Sequence, residues 1–282
     1  MKLIFHGDDF GLTSGVNRGI IRSFREGLLT STSMIAAGEA AQEAISLVKD
    51  TPGLDMGVHL TLCDERPVLR PRHLSSIIPS GGRFPSRIHL LKTILFRRID
   101  YREVEAEWRA QVETVLNAGI RISHLDSHQF VHLFPGLIGV CLRIIRTYDI
   151  PFVRGIMVDP ASLKSGLRRL IQWAGLAGWS RLYASRVLAP PVKIIPSMGF
   201  LSAGGRLTRA ALLHTLTRLQ ANLSAPTMEI ILHPGTGDAH TIHTYCHWGY
   251  DWKKDLDLLT DGALKQDLAR QGMQLTSFGK ER

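Results

Sequence analysis

The sequence predicts an α/β protein: a closed or nearly closed β/α barrel that forms a single domain, residues 1–282, with two long basic insertions. Short apolar runs alternate with longer segments of helical period along the chain, which is typical of parallel strands flanked by helices. The chain has 282 residues, 44% of them hydrophobic, which suffices for a large core. About seven strands in a chain of this length favour a barrel over a small open sheet.

The first predicted elements follow from apolar spacing. Lys2–Phe5 is a short apolar run and predicts a strand, whereas Val16–Phe24 carries apolar residues at helical spacing up to Gly27, which can end that helix. Thr30–Ala36 contains β-branched residues and predicts a second strand. The remaining predictions in this part are a helix at Glu39–Val48, which ends before Pro52, and a strand at Asp55–Leu62 in which apolar and polar residues alternate.

The same alternation continues through the rest of the chain. Charged and apolar residues at helical spacing predict a long amphipathic helix at Tyr101–Leu116. The further predicted elements are the strand Ile120–Leu125, the helix Leu137–Tyr148, the extended segment Pro151–Val158, the helix Arg209–Leu223, the strand Met228–Leu232, the helix Leu264–Arg270 and a last strand at Leu275–Phe278.

Two stretches, about residues 63–99 and 160–208, interrupt this alternation and coincide with a concentration of positive charge. The chain carries 34 Lys and Arg against 25 Asp and Glu, a formal net charge of +9. Eight of the basic residues lie between Arg66 and Ile99 and nine between Pro160 and Met228, and neither window contains an acid. Loops this long inside a compact domain are usually lids or binding loops. The charge indicates either an anionic partner or simply solvated loops and helix faces.

Several classes of protein are excluded or made improbable by composition. Charged residues at 21% argue against intrinsic disorder. The sequence contains no run of eighteen apolar residues, so no transmembrane helix is predicted. The amino terminus turns acidic at Asp8 before a signal-peptide core could form, and three cysteines (Cys63, Cys141 and Cys246) suit a reducing compartment. We therefore expect a cytoplasmic protein. No helix-turn-helix, zinc-finger or RNP-like pattern supports nucleic-acid binding.

Polar clusters lie where predicted strands end. Asp8 and Asp9 are adjacent carboxylates that repel each other unless a cation intervenes, although such a pair is also common in turns and helix caps. His59 lies within an alternating strand pattern, where a histidine is more often an interior residue with satisfied hydrogen bonds than a metal ligand. The tract from His124 to His132 is harder to explain by packing, because histidines recur every four residues beside a short strand. This tract predicts a metal site. A further histidine, His233, ends the strand Met228–Leu232.

Together these clusters resemble the YdjC-like carbohydrate deacetylases over residues 2 to about 278. The resemblance rests on five motifs in the same order: Gly7-Asp8-Asp9-Phe10-Gly11-Leu12, Leu29-Thr30-Ser31-Thr32-Ser33, Gly57-Val58-His59, His124-Leu125-Asp126-Ser127-His128 and His233-Pro234. It implies a distorted β/α barrel of the glycoside hydrolase and deacetylase type. It also implies hydrolysis of the N-acetyl group of an amino sugar with one divalent metal ion.

The resemblance also implies roles for individual residues. Asp9, His59 and His128 would be the metal ligands, Asp8 the general base and His233 the acid that protonates the leaving amine. The family implies Mg²⁺, whereas two imidazole ligands by themselves favour Zn²⁺, Fe²⁺ or Mn²⁺. Two further residues are candidates for substrate binding or for support of the site: His132, for which a ligand role stays open, and Arg154, for which an exposed surface position is the simpler alternative. His6 and Phe130 depart from the family pattern.

The substrate and partners are less defined by the sequence. The resemblance implies an N-acetylated sugar that is free, nucleotide-linked or lipid-linked, and the alternative is an inactive barrel that binds glycans or glycolipids. Ser86–Arg98 and Leu163–Leu188 combine basic residues with apolar ones at roughly helical spacing, which is typical of helices at a membrane surface. This pattern predicts peripheral contact with the inner face of the membrane, unless those apolar residues pack on the barrel or on a second copy in a homo-oligomer.

Overall fold

A computed structural model describes residues 1–78, 81–155, 178, 192–199, 207–222 and 226–282. Most of the second predicted insertion lies outside the described residues, including the basic segment Leu163–Leu188 apart from Gly178. The described chain forms one parallel sheet surrounded by helices. Its strands are β1 (Lys2–Phe10), β2 (Ser31–Met34), β3 (Asp55–Leu60), β4 (His124–Ser127), β5 (Phe152–Arg154), β6 (Lys193–Ile195), β7 (Ser197–Met198), β8 (Thr227–Leu232) and β9 (Gln274–Leu275).

The sheet curls into a barrel, as the sequence predicts. The strand order is β6-β5-β4-β3-β2-β1-β8-β7, and β9 adds a short pairing to β1. Only Pro196 separates β6, which pairs with β5, from β7, which pairs with β8. The two short strands are therefore halves of one bent strand that bridges the opposite edges of the sheet. Proline suits the bend because it has no N–H to donate, while its carbonyl accepts a hydrogen bond from the N–H of Glu229 at 3.0 Å.

Helices cover the outside of this barrel. They are α1 (Ser14–Glu26), α2 (Ala41–Lys49), α3 (Arg87–Leu95), α4 (Tyr101–Asn117), α5 (Leu137–Thr147), α6 (Arg209–Asn222), α7 (Ala239–Tyr245), α8 (Trp252–Leu259) and α9 (Gly262–Arg270). Short 3₁₀ turns lie at Pro71–His73, His128–Leu133, Cys246–Trp248 and Phe278–Lys280. None of the helices in the described part of the chain is both long and apolar enough to span a membrane.

The element boundaries differ from the predictions where polar residues belong to strands. β1 runs on to Phe10 and so includes Asp8 and Asp9, and β4 begins at His124 instead of Ile120. The predicted final strand at Leu275–Phe278 is also wrong, because β9 ends at Leu275 and a 3₁₀ turn begins at Phe278. The differences at β1 and β4 share a cause: apolar runs mark strands with an apolar environment, whereas the upper interior of this barrel is polar. The helices α7 and α8 were not predicted.

The barrel interior changes from apolar to polar between the amino-terminal ends of the strands, here called the bottom, and their carboxyl ends, here called the top. At the bottom, Ile4, Phe152, Ile195 and Phe278 form a small apolar cluster, separate from the large core between sheet and helices. Above it lie His6 and His124, whose rings meet edge to face at 5.0 Å, with His124 stacked on Phe278. Gly57 leaves room for this histidine, because a Cβ there would lie 2.3 Å from Nε2 of His124. Acidic groups follow in the layer above.

Candidate active site

The candidate site lies at the carboxyl ends of the strands, where catalytic residues of β/α barrels gather. Side chains on alternate positions of β1 point inward, so Ile4, His6 and Asp8 occupy successive levels. Strict alternation would place Asp9 on the opposite face. Instead, its φ of 67° and a register shift between Gly7 and Phe10 break the alternation, so that Asp8 and Asp9 both reach the site.

The outer cluster consists of Asp9, His59 and His128, which are all buried. Oδ1 of Asp9 lies 3.3 Å from Nε2 of His59 and 3.1 Å from Nδ1 of His128. One potential ligand atom from each of the three residues lies within 4.8 Å of the others. The structure thus brings together the three residues that the family resemblance implies as ligands.

The ring of His59 is oriented by groups behind it. Its Nδ1 lies 2.9 Å from Oδ1 of Asp126, its direct neighbour in the β3–β4 register, and 3.0 Å from the Ser33 hydroxyl. Ser33 in turn donates to Oδ2 of Asp126 at 2.8 Å. This pattern leaves Nε2 of His59 facing Asp9. A carboxylate behind a histidine is the usual support of a metal ligand.

The inner cluster consists of Asp8, Asp126 and Glu229 around the guanidinium of Arg154. Arg154 is only 1% exposed, so the alternative of a surface arginine is wrong. Nη1 and Nη2 bond the two oxygens of Asp8 at 2.9 and 2.7 Å, and Nη2 lies 2.6 Å from Asp126. Nε and Nη2 bond Glu229 at 3.0 and 2.6 Å. Bidentate pairing of this kind fixes the direction of the Asp8 carboxylate.

The pKa shifts follow from burial and these neighbours. Burial alone would raise the pKa of Asp9, but His128 and His59 lower it well below its usual range. Burial likewise opposes protonation of His59, yet Asp126 and Asp8 raise its pKa to about 10. Burial and Arg154 keep the pKa of His6 well below its usual value. The outer cluster therefore lies in a field that attracts positive charge, whereas His6 stays neutral beneath it.

His233 lies on the other side of Asp8. Its Nε2 is 3.9 Å from Oδ2 of Asp8, and its ring stacks on Tyr250 with centroids 3.8 Å apart. The N–H of His233 donates to Oδ2 of Asp255 at 2.9 Å, which fixes the backbone where β8 ends. Burial is the main cause that lowers the pKa of His233. The ring is thus held beside the candidate base.

His132 has both ring nitrogens engaged within the protein. Nδ1 contacts the Ser127 hydroxyl at 2.5 Å, and Nε2 lies 3.1 Å from the carbonyl oxygen of Arg154. Of the three roles that the sequence left open, this geometry favours support: His132 ties the start of the 3₁₀ turn to β5, and so to Arg154.

Sequence reasoning assigned no role to Asp126, Glu229 or Trp248. Trp248 packs against His128 with ring centroids 4.4 Å apart, and Tyr250 belongs to the same aromatic wall. Signals for all three were present in the sequence. Asp126 lies inside the histidine tract, Glu229 is an acid in an apolar strand, and four of the eight residues from Tyr245 to Trp252 are aromatic.

The residues of the outer cluster fit a divalent metal ion. Two imidazoles and one carboxylate form a donor set that suits a catalytic ion with open coordination positions. Oδ2 of Asp9 is buried and has no hydrogen-bond partner. Such an orphaned carboxylate oxygen is costly without a cation. A second candidate group, His6 with His124 and Asp126, fits less well because Asp126 already pairs with the cation Arg154.

Comparisons with known proteins show to which family the chain is similar. A family model described as YdjC-like protein matches residues 2–270. A carbohydrate deacetylase of Vibrio campbellii is 31% identical over 282 residues, covering 99% of this chain and 95% of the relative, and one of Brevibacillus brevis is 29% identical over 284 residues, covering 99% of each. A crystal structure of a candidate cellobiose-phosphate cleavage protein of Enterococcus faecalis is 25% identical, with a TM-score of 0.77 and coverage of 99% of this chain and 97% of that protein.

Proposed function

Because the chain belongs to the YdjC-like protein family, we propose that it is a carbohydrate deacetylase that hydrolyses the N-acetyl group of an amino sugar with a divalent metal ion. The observation that carries this proposal is the division of two adjacent carboxylates. Asp9 joins His59 and His128 and keeps a free oxygen, whereas Asp8 is held by Arg154 next to them. The names of the relatives from Vibrio campbellii and Brevibacillus brevis support the same activity.

Amide hydrolysis needs a nucleophile, a stabilised oxyanion and a protonated leaving group. Asp9, His59 and His128 would hold the divalent ion, which would supply Lewis-acid activation of the acetyl carbonyl and of the attacking water. Asp8 accepts the proton of the attacking water, and its two bonds from Arg154 aim the carboxylate without blocking it from the outer cluster. When the C–N bond breaks, the products are acetate and the free amine of the sugar.

His233 is suited to protonate that leaving amine. Its Nε2 lies 3.9 Å from Asp8, so a proton taken up at Asp8 has a short route to the imidazole. Stacking on Tyr250 and the backbone bond to Asp255 hold the ring in place. Base and acid therefore lie side by side, next to the outer cluster.

The metal and the sugar are proposed at different levels of detail. For the metal we propose Mg²⁺ from the family resemblance, with Zn²⁺ or Mn²⁺ as the alternatives that the two imidazole ligands favour. For the sugar we propose an N-acetylglucosamine unit. Tyr250 and Trp252 border an open cavity of about 580 Å³, which leaves room for a group beyond that unit, either a second sugar or a lipid carrier.

Acetate release tests the proposal. The purified chain is incubated with N-acetylglucosamine, chitobiose and lipid-linked N-acetyl sugars, and acetate is measured before chelation, after chelation and after addition of Mg²⁺, Mn²⁺ or Zn²⁺. We expect release from at least one substrate, loss on chelation and recovery with one of the ions. Asp9→Asn is the matched control and should stay inactive after the ion is added. Full release by metal-free protein contradicts the metal, and binding of a glycan without acetate release by any loaded form contradicts the enzyme.

A further inference from the structure

Helix α3 exposes an apolar surface that nothing in the described chain covers. Ile88, Leu95 and Phe96 are 64%, 65% and 68% exposed, the highest values among the exposed large hydrophobic residues of the described structure. Leu90 and Ile94, on the opposite face of the same helix, are buried in the core. α3 is thus anchored by one face while the other presents large apolar side chains to solvent.

Positive charge surrounds these apolar side chains. Lys92 shares the outer face with Ile88 and Phe96, and Arg97 and Arg98 follow directly. The guanidinium of Arg98 lies 5.8 Å from the centre of the Phe96 ring. We call Ile88, Lys92, Leu95, Phe96, Arg97 and Arg98 the α3 surface. Among the described residues, none of its three cations forms an ion pair.

We propose that the α3 surface docks onto an anionic lipid bilayer. The window from Arg66 to Ile99 has no acid, so a second copy that used the same surface would bring like charges together. The window from Pro160 to Met228 is also free of acids and therefore offers no opposite charge to Lys92, Arg97 and Arg98. Nucleic acid offers phosphates but no apolar phase for Ile88, Leu95 and Phe96. Anionic headgroups above acyl chains offer both.

Docking there would bring the bilayer close to the candidate active site. α3 begins after Ser86, and the two residues before it bond the loop that follows β3: the N–H of Phe84 donates to Glu65, and the N–H of Asp64 to Pro85. Asp64 in turn accepts a hydrogen bond from Nε2 of Gln129 at 2.7 Å, beside His128. The amino-terminal end of α3 is therefore linked through one loop to the residue next to His128, which places the docked bilayer on the side of the barrel that carries this loop.

Vesicle binding tests the proposal with the full chain. The wild type and two variants, Leu95→Gln/Phe96→Gln and Arg97→Gln/Arg98→Gln, are sedimented with phosphatidylcholine vesicles. Each protein is tested with vesicles that lack phosphatidylglycerol and with vesicles that contain about 30% of it, which gives the bilayer an anionic surface. We expect binding that depends on phosphatidylglycerol and weakens with salt. Removal of each basic residue should lower vesicle binding about fivefold. Removal of the apolar pair should lower vesicle binding about tenfold or more. Leu116→Gln, at the carboxyl end of α4, and Lys265→Gln, on α9, change exposed side chains outside the α3 surface and are the matched controls.

Each outcome decides the matter. The proposal is wrong if the wild type does not bind these vesicles, if both α3 variants bind like the wild type, or if the control variants lose as much binding. Self-association that is lost in Leu95→Gln/Phe96→Gln, without vesicle binding, would assign the surface to a second copy instead. Acetate release from a free sugar separates this test from the proposed function, because the α3 variants should keep wild-type rates whether or not the bilayer proposal holds.

Discussion

The outer and inner clusters of this barrel both contain buried carboxylates but neutralise them differently. In the inner cluster, three carboxylates share one internal cation, Arg154, and its guanidinium bonds all of them. In the outer cluster, the carboxylate of Asp9 contacts His59 and His128, and its Oδ2 has no hydrogen-bond partner among the described residues. A buried carboxylate that lacks a cation from its own chain marks the place where one from solution fits.

The difference begins with two adjacent residues. Asp8 follows the alternation of β1 and meets Arg154 from β5, whereas Asp9 turns to the outer cluster because its φ is 67°. Aspartate tolerates this left-handed region better than most residues. A single backbone irregularity thus gives neighbouring carboxylates different partners, and we infer different tasks for them.

The largest expected effect comes from exchanging these two carboxylates for amides. Asp9→Asn should lose bound metal and nearly all acetate release, because the carboxylate is the only anionic group of the outer cluster. Asp8→Asn should keep its metal near the wild-type content while kcat falls about 10²- to 10⁴-fold, the usual contribution of a general base. Metal analysis and acetate release on the same preparations measure both. Equal loss of metal in the two variants would remove the distinction between the clusters.

A large effect on stability is expected from removing the internal cation. Arg154→Met removes the cation that Asp8, Asp126 and Glu229 share, and breaking a buried ion pair typically costs about 3–5 kcal/mol. Urea unfolding measures it. Glu229→Gln, which retains an oxygen acceptor for Arg154, should cost much less, about 1 kcal/mol.

The control for Arg154 is an arginine at the surface. Arg143 pairs with Glu105 in solvent, and exposed pairs contribute about 0–1 kcal/mol, so Arg143→Met should change the free energy of unfolding very little. Similar losses in Arg143→Met and Arg154→Met would show that the inner cluster is not held by its cation.

Local patterns in the sequence were sufficient for the barrel, because alternating strands and helices predict the architecture. The residues of the outer cluster came from the family resemblance, which implies Asp9, His59 and His128 as ligands, whereas local pattern alone predicted a metal site only in the tract from His124 to His132. The bent strand on either side of Pro196 could not be predicted, because β6 and β7 together span only residues 193–198 and lie within a predicted insertion.

The inner cluster escaped prediction for a different reason. Arg154, Glu229 and Asp126 lie on three strands that are distant in sequence, and only the closed barrel brings them together. An isolated arginine at the end of a short extended segment is indistinguishable from a surface residue by local pattern. A buried ion network depends on which strands become neighbours, which periodicity does not specify.

A smaller effect should arise where the two clusters touch. Asp126 belongs to the inner cluster and also orients His59, through a contact of 2.9 Å to Nδ1. Asp126→Asn should weaken metal affinity about 10- to 100-fold, the usual result of changing a group behind a ligand. Competition with a chromophoric chelator measures this. Asp55→Asn is the control, since Asp55 lies at the opposite end of the same strand as His59 and should leave metal affinity unchanged.

The last effect concerns the pH dependence of stability and another buried carboxylate, Asp255, which pairs with neither Arg154 nor the outer cluster. Asp255 accepts a hydrogen bond from the N–H of His233, and burial raises its pKa to about 7.

Because the folded-state pKa of Asp255 exceeds the unfolded value of about 3.9, folding favours the protonated form of its carboxyl group. The contribution of Asp255 to stability therefore falls as pH rises from about 4 to 7, and the loss is complete above that range. Asp255→Asn carries no charge at any pH and still offers an oxygen to His233. It should be more stable than the wild type by about 2–4 kcal/mol at pH 8 and by almost nothing at pH 4. Urea unfolding at both pH values measures the difference, with the exposed Asp257→Asn on the same helix as control. A gain that is the same at pH 4 and pH 8 would mean that the pKa of Asp255 is the same in the folded and unfolded states. A buried carboxylate at this position would then need neither a cation nor a proton.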